Sequence, residues 1–271
     1  MADLERYLVR PGKRPRLAER DPDDRSERSK RGKTADLENL AKLGRRLDEL
    51  QDVLHAAAKQ RLLVVLQGMD TSGKDGTIRH VFSQVSPLGV RVVSFKAPSP
   101  DELARDYLWR VHRGVPAAGE IVIFNRSHYE DVLVVRVHEW IDRNECERRY
   151  RQIVDFERML VDTGTTIVKC FLHISKDEQK ARLEERLADK AKNWKFNTGD
   201  LEERKLWPKY MDAYERAIAA TSTKDAPWHV IPANSKTNRN LAISRLLVDR
   251  LEALKLKHPP AAAGLDQVRV E

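Results

Sequence analysis

The chain contains only two cysteines among its 271 residues, Cys146 and Cys170. Neither belongs to a C-x-x-C pair or adjoins a histidine cluster, so we exclude a disulfide scaffold and a structural zinc site. Long apolar runs are also missing. No stretch approaches the roughly 20 residues that cross a bilayer, and the charged residues 1–10 lack the apolar segment of a secretory signal. We therefore expect a soluble, cytoplasmic protein that has no membrane partner.

The charge is unevenly distributed. The net charge is +8, from 50 basic against 42 acidic residues, and half of the excess lies in residues 1–33, where 11 Lys and Arg face 7 Asp and Glu. A basic surface favours a polyanionic partner such as nucleic acid, acidic lipid or inorganic polyphosphate. This segment lacks the interleaved aromatic residues that stack on bases, so we expect no nucleic-acid partner.

Composition divides the chain into three parts. Residues 1–34 combine prolines with dense charge and read as a basic arm, because they have almost no apolar periodicity. Residues 35–257 form one domain, which begins with leucines at helical spacing. Residues 258–271 are a tail that starts as an Ala/Pro-rich segment.

Five apolar runs within the domain alternate with helical patterns. They comprise residues 62–66, 90–95, 121–124, 166–174 and 229–231. Short buried strands in this arrangement predict an α/β fold with a five-stranded parallel sheet and helices on both faces. Ligands are expected outside the carboxyl ends of the strands.

The first run leads into a glycine-rich loop with the pattern G-x-x-x-x-G-K. Such a loop, placed between a strand and a helix, directs backbone N–H groups and a lysine towards one phosphate site. Asp75 stands where most phosphate loops have Ser or Thr. Asp70 is either a solvated turn carboxylate or a metal ligand. The candidate phosphate-binding residues of this loop are Gly68, Ser72, Gly73, Lys74, Asp75, Gly76 and Thr77.

A second polar cluster follows the third run. Asn125 replaces the Asp that usually ends this strand in phosphate-loop enzymes, and Arg126 is able to bind phosphate oxygens with two hydrogen bonds. We favour His128 as a structural histidine over an acid or base. The carboxylates available for a metal ion are Asp70, Asp75, Glu130 and Asp131.

Residues 177–196 carry a run of mixed charge. The run is either a solvated helix face or part of a lid, over about residues 176–210, that closes on the phosphates and excludes water. As a lid it would use Trp194 and Phe196 as anchors and Gly199 as a hinge. Its candidate phosphate-binding or catalytic cations are Arg182, Arg186, Lys192 and Lys195.

Four segments together closely resemble the polyphosphate kinase 2 family. They are residues 66–76 (LQGMDTSGKDG), 124–132 (FNRSHYEDV), 193–196 (NWKF) and 228–233 (WHVIPA). The resemblance extends over about residues 35–257, and residues 71–72 (TS) replace the commoner Ala-Ala of the family. It implies a P-loop, thymidylate-kinase-like fold with a helical lid.

The resemblance also implies an activity. The family transfers the terminal phosphoryl group between inorganic polyphosphate and a nucleotide with Mg²⁺ or Mn²⁺. Asp70, Lys74 and Arg126 match its core catalytic positions, and Arg182 and Arg186 lie in the segment that supplies lid arginines. The forms of the two motifs resemble the group that accepts both AMP and ADP and produces ATP.

Two alternatives stay open on the sequence: an ATP-dependent nucleoside monophosphate kinase and a non-catalytic polyanion-binding protein. We also expect a homo-oligomer.

Overall fold

The computed structural model describes residues 4–191, 193–264 and 269. Within these residues the strands form one six-stranded sheet. The strands are β1 (Leu8–Val9), β2 (Arg61–Gln67), β3 (Val90–Ser94), β4 (Ile121–Asn125), β5 (Thr165–His173) and β6 (Trp228–Pro232). The helices are α1 (Lys33–Ala57), α2 (Lys74–Val81), α3 (Pro100–Leu103), α4 (Trp109–His112), α5 (Val134–Val137), α6 (Arg143–Asp162), α7 (Lys176–Ala188), α8 (Gly199–Lys205), α9 (Trp207–Thr221) and α10 (Lys236–Ala253). Short 3₁₀ helices lie at Leu4–Tyr7, Leu17–Glu19, His128–Val132 and Asn193–Lys195.

The sheet has the order β1-β6-β5-β2-β4-β3. The five predicted runs are strands β2 to β6, and their neighbours pair in parallel. The predicted count of five strands, all parallel, is wrong because β1 adds an antiparallel edge beside β6, where Leu8 pairs with His229. A two-residue strand near Pro11 is too short to show a periodic pattern, so no pattern predicted it.

The N-terminal segment lies along the domain. Leu4, Tyr7, Val9 and Leu17 are buried in the two main apolar clusters. The Tyr7 hydroxyl donates to a carboxylate oxygen of Glu27, at 3.0 Å, and Glu27 is itself buried. The segment thus contributes both a strand and buried side chains to the domain.

Both faces of the sheet are covered at its central strands, whereas the edge strand β3, predicted to be buried, has exposed residues such as Val92. Leu63 and Val65 of β2 face one apolar cluster, whereas Leu62, Val64 and Leu66 face the other. Continuous apolar strands of this kind are typical of parallel strands that lie between two helical layers. The leucine-rich helix α1 packs in the second cluster through Leu47, Leu50 and Leu54, as its spacing predicted.

The topology brings three loops to the carboxyl edge of the sheet: those after β2, β4 and β5. The segment proposed from sequence as a lid contains α7, α8 and the first turn of α9. Of the helices that the structure describes, none is long and apolar enough to cross a bilayer.

Candidate active site

The glycine-rich loop runs from the end of β2 to the start of α2. Thr71 and Gly73 adopt positive φ values of 62° and 101°. Helix α2 begins at Lys74, and Thr77 N–H makes its first backbone bond, to Gly73 O at 2.8 Å. Among the described residues, the N–H groups of Gly73, Lys74 and Gly76 have no acceptor. Unpaired donors at the positive end of a helix make an anion-binding site.

Three buried hydroxyls lie in the same loop and helix, on Thr71, Ser72 and Thr77. Ser72 and Thr77 are fully buried, and neither hydroxyl has a hydrogen-bond partner in the described part of the chain. A buried polar group without a partner carries a desolvation cost, which a bound ligand or water removes. Both residues therefore fit the phosphate-binding role predicted for them.

Lys74 points back over the loop. Its ammonium donates to Gly68 O at 2.7 Å and to Met69 O at 3.3 Å, and the residue is only 8% exposed. Burial, assisted by the charge of Arg126, lowers the pKa of Lys74 to about 8. The ammonium has three donors. Among the described residues, the third has no acceptor.

Arg126 lies at the end of β4 and joins the two predicted motifs. It adopts a positive φ of 62° and donates to Asp70 Oδ1 at 2.7 Å. Its second terminal nitrogen lies 4.0 Å from Glu130 Oε2. Burial opposes its charge, but the carboxylates of Glu130 and Asp70 outweigh burial and raise the pKa of Arg126. The guanidinium side chain remains 42% exposed, so donors are available to a ligand.

The two residues that depart from the usual phosphate-loop pattern contact each other. The Asn125 amide donates to Asp75 Oδ1 at 2.8 Å. An Asp at position 125 would instead bring two carboxylates together, which like charges disfavour. The two departures from the usual pattern, Asn at the end of β4 and Asp on α2, are therefore compatible with each other, because the amide binds the carboxylate.

The four carboxylates predicted for a metal ion occupy different places. Asp70 and Glu130 meet at Arg126. Asp75 contacts Asn125. Asp131 lies 3.4 Å from an Arg110 nitrogen on α4.

The donor set at Arg126 fits a hard divalent cation. Burial raises the pKa of Glu130, the cations Arg126 and Lys74 lower it, and the charge of Asp70 raises it further. In the part of the chain that the structure describes, no three His, Cys, Asp or Glu residues form a group able to hold a metal ion. Mg²⁺ commonly uses one or two carboxylates and completes its shell with phosphate oxygens and water. Asp70 and Glu130 match that requirement.

The segment proposed as a lid contributes two charges to the same region. Arg186 of α7 lies 3.8 Å from Asp200 of α8. Burial raises the pKa of Asp200, and so does the negative charge of Asp70, while Arg186, Arg126 and Lys74 lower it. Asp200 was not a candidate from sequence, where it is one acid within a mixed-charge segment.

Other predicted lid residues are placed differently. Arg182 is buried, and its guanidinium donates to the backbone oxygens of Thr71 and Ser72, at 2.9 and 3.1 Å. In this structure it supports the loop from behind. Trp194 is 78% exposed, its indole N–H donates to Ala191 O at 3.1 Å, and its role as an anchor stays a prediction. Lys192 and the side chain of Lys195 lie outside the described residues.

Sequence reasoning missed Arg239 of α10, whose guanidinium leaves no room for a side chain at Gly73. A Cβ atom at Gly73 would lie 2.0 Å from the Arg239 guanidinium, and one at Gly76 would lie 3.4 Å from it. Gly68 is confined instead by Ser72 Oγ and Leu172 O, at 2.7 and 2.8 Å from a Cβ. The need for glycine at position 73 thus comes from its φ of 101° and from an arginine behind the loop.

A buried ion cluster underlies the 3₁₀ helix that carries Glu130. Lys169 of β5 donates to Glu157 Oε2 at 2.5 Å and to the Tyr129 hydroxyl at 3.0 Å. His128 is fully buried, and its Nε2 lies 3.2 Å from Glu157 Oε1. These contacts favour the structural role for His128.

Comparison with known proteins reveals close relatives. A sequence model of the family described as Polyphosphate kinase 2 matches residues 30–259. An AMP/ADP-polyphosphate phosphotransferase from Meiothermus ruber is 55% identical over 268 residues, which cover 99% of this chain and 100% of that protein. An ADP-polyphosphate phosphotransferase from Rhodopseudomonas palustris is 46% identical over 226 residues, covering 79% of this chain and 78% of that protein.

The similarity extends to three dimensions. The crystal structure of a polyphosphate kinase 2 from Arthrobacter aurescens is similar with a TM-score of 0.92 at 47% identity. The match covers 97% of this chain and 93% of that chain. The shared architecture therefore includes most of the N-terminal segment as well as the sheet and its loops.

Proposed function

Since this chain belongs to the polyphosphate kinase 2 family, we propose that it transfers the terminal phosphoryl group of inorganic polyphosphate to AMP and ADP, reversibly. The observation that carries the proposal is the loop whose free N–H groups and Lys74 lie beside Arg126 at one edge of the sheet. The relative from Meiothermus ruber supports an acceptor range that includes both nucleotides, because its name contains both. The proposal includes a P-loop, nucleoside-kinase-like fold with a lid.

The glycine-rich loop binds the donor phosphates. The N–H groups of Gly73, Lys74 and Gly76 lie at the start of α2, and the Lys74 ammonium adds a positive charge. Ser72 and Thr77 supply hydroxyls. These groups fix the chain end, which lowers the entropic part of the barrier.

Arg126 stabilises the transferring group. Phosphoryl transfer requires alignment and compensation of charge more than bond-making by the protein. The exposed donors of Arg126 provide that compensation beside the loop. The accepting oxygen belongs to a phosphate that is largely ionised at neutral pH, so no side chain has to remove a proton from it. This agrees with the burial of His128 against Glu157.

We assign Asp70 and Glu130 as the residues that would hold Mg²⁺ or Mn²⁺. The bound cation would polarise phosphate oxygens and neutralise their charge. Asp70 also orients Arg126, through their 2.7 Å contact. Arg186 and Asp200 form the catalytic face of the lid, which excludes water and thereby prevents hydrolysis of the donor.

One assay tests the proposal. AMP or ADP is incubated with Mg²⁺ and polyphosphate in the absence of ATP, and ATP formation is followed. A parallel reaction without polyphosphate measures transfer between nucleotides. Lys74→Met should abolish polyphosphate-dependent ATP formation, whereas Lys59→Met, which removes an exposed lysine before β2, should retain it.

The alternatives give different results in the same assay. An ATP-dependent nucleoside monophosphate kinase transfers between nucleotides and forms no ATP from polyphosphate. A non-catalytic polyanion-binding protein binds polyphosphate and shows no transfer from either donor. Either outcome would reject the proposal.

A further inference from the structure

Arg239 is a charged side chain buried beneath the glycine-rich loop. The residue is 2% exposed and lies in the first turn of α10. Its guanidinium donates to Ser72 O at 3.3 Å and to Asn240 Oδ1 at 3.2 and 3.0 Å. No carboxylate within the described ranges forms an ion pair with it. Buried charges are normally paired.

A second guanidinium lies beside it. Arg182 donates to the same Ser72 oxygen at 3.1 Å, so two cations converge on one carbonyl. Arg182 has one carboxylate partner, Glu178, at 2.7 Å. The pair therefore keeps one positive charge that only amide oxygens compensate. Burial and the neighbouring charge of Arg182 lower the pKa of Arg239 to about 9.

The uncompensated charge lies directly behind the proposed phosphate site. Gly73 lies between the Arg239 charge and the proposed phosphate site, since a Cβ atom at Gly73 would contact the Arg239 guanidinium. The peptide between Ser72 and Gly73 directs its oxygen to the arginines and its N–H in the opposite direction, because the two groups of a trans peptide are antiparallel. A phosphate held by that N–H lies one backbone layer from Arg239.

We propose that Arg239 is a positioning residue that acts as a buried counter-charge for the donor polyphosphate, paired electrostatically only when phosphates occupy the glycine-rich loop. The inference rests on the proposed function for the identity of the anion. It assigns a binding role to a side chain that does not touch the substrate. The Arg239 charge destabilises the free protein, because an unpaired buried cation is unfavourable. It stabilises the complex with polyphosphate, because a phosphate on the other side of one peptide compensates the charge.

Asn240 offers a near-isosteric test. Its Oδ1 already accepts from Arg239, so Asn240→Asp supplies a permanent carboxylate at the same place. Arg239→Gln removes the charge, and Arg239→Lys keeps it without the planar guanidinium. Arg250→Gln, near the other end of α10, changes the net charge by the same amount as the first two variants and serves as the control.

The readouts are the melting temperature without ligand and the dissociation constant for inorganic triphosphate, measured without nucleotide so that no transfer occurs. Asn240→Asp should raise the melting temperature and weaken triphosphate binding at least about fivefold, the lower end of typical coupling between sites. Arg239→Gln should weaken binding similarly, Arg239→Lys should retain most of it, and Arg250→Gln should match the wild type.

A merely structural arginine predicts another pattern. Asn240→Asp would then change the melting temperature and leave triphosphate affinity unchanged, and this result would overturn the inference even if Arg239→Gln did not fold. Equal loss of affinity in Arg239→Lys and Arg239→Gln would also overturn it, since charge would not be the cause. If one of these two results were obtained and the wild type formed ATP from polyphosphate, only the inference about Arg239 would fail, and the proposed function would stand. If the affinities changed as expected without any transfer by the wild type, the proposed function would fail instead.

Discussion

Replacing Gly73 with alanine tests whether Arg239 shapes the glycine-rich loop. Two costs add in this variant. A side chain at a φ of 101° is strained, at about 1–2 kcal/mol. The new Cβ would also lie 2.0 Å from the Arg239 guanidinium, which has to move and weaken its buried hydrogen bonds, and hydrogen bonds that involve a charged group contribute about 1.5–3 kcal/mol. The expected loss in the free energy of unfolding is therefore about 2.5–5 kcal/mol.

Gly12 provides the matched control. Its φ is 70°, and nothing lies within 4 Å of an added Cβ. Gly12→Ala should therefore cost only the backbone strain, about 1–2 kcal/mol. Urea unfolding of both variants measures the difference. The double variant Gly73→Ala with Arg239→Gln should regain part of the loss, because the shorter side chain leaves room for the methyl group.

Equal losses in Gly12→Ala and Gly73→Ala would refute this reasoning. So would a double variant whose two losses simply add, since residues in contact should be coupled.

Three further changes test other contacts. The Lys74 pKa of about 8 predicts that the KM for polyphosphate rises above pH 8, where the free enzyme loses the proton; Lys74→Arg, which stays charged, should abolish the rise. The unfolded chain holds this proton up to a pKa of 10.5, so the same titration should raise the free energy of unfolding between pH 8 and 10.5, and a fall there would contradict it. Lys169→Met should cost about 3–5 kcal/mol in urea unfolding because it leaves the Glu157 carboxylate buried without its lysine counter-charge, whereas adding Glu157→Gln should recover part of that loss. Arg186→Ala should slow transfer strongly and change stability by about 0–1 kcal/mol, and parallel losses of melting temperature and activity would instead support a solvated helix face.

Much of the fold was predictable because its signals are local. Strands β2, β4, β5 and β6 are short, largely apolar runs whose faces are covered, so they needed no alternation to be recognised, whereas the edge strand β3 is partly exposed. The contact between Asp70 and Arg126 was also foreseeable in outline, since both follow parallel strands that end at one edge.

The buried residues that hold the site in place were not predictable in the same way. Arg239 belongs to a polar stretch, residues 236–240 (KTNRN), that resembles an exposed helix start, yet Asn238, Arg239 and Asn240 are buried. Only the three-dimensional packing of α10 against the loop reveals this. Lys169 did offer a signal, because a lysine inside an apolar strand requires a buried partner.

The pairing of β1 with β6 joins two segments that are far apart in the sequence. Leu8 leaves the ribosome long before its partner His229 is synthesised. The edge of the sheet beside β6 therefore cannot close until β6 is available, and contacts between distant segments slow folding. During synthesis, the N-terminal segment has to wait with Leu4, Tyr7 and Val9 exposed, so a nascent chain that stalls before β6 leaves its first apolar residues open to other proteins.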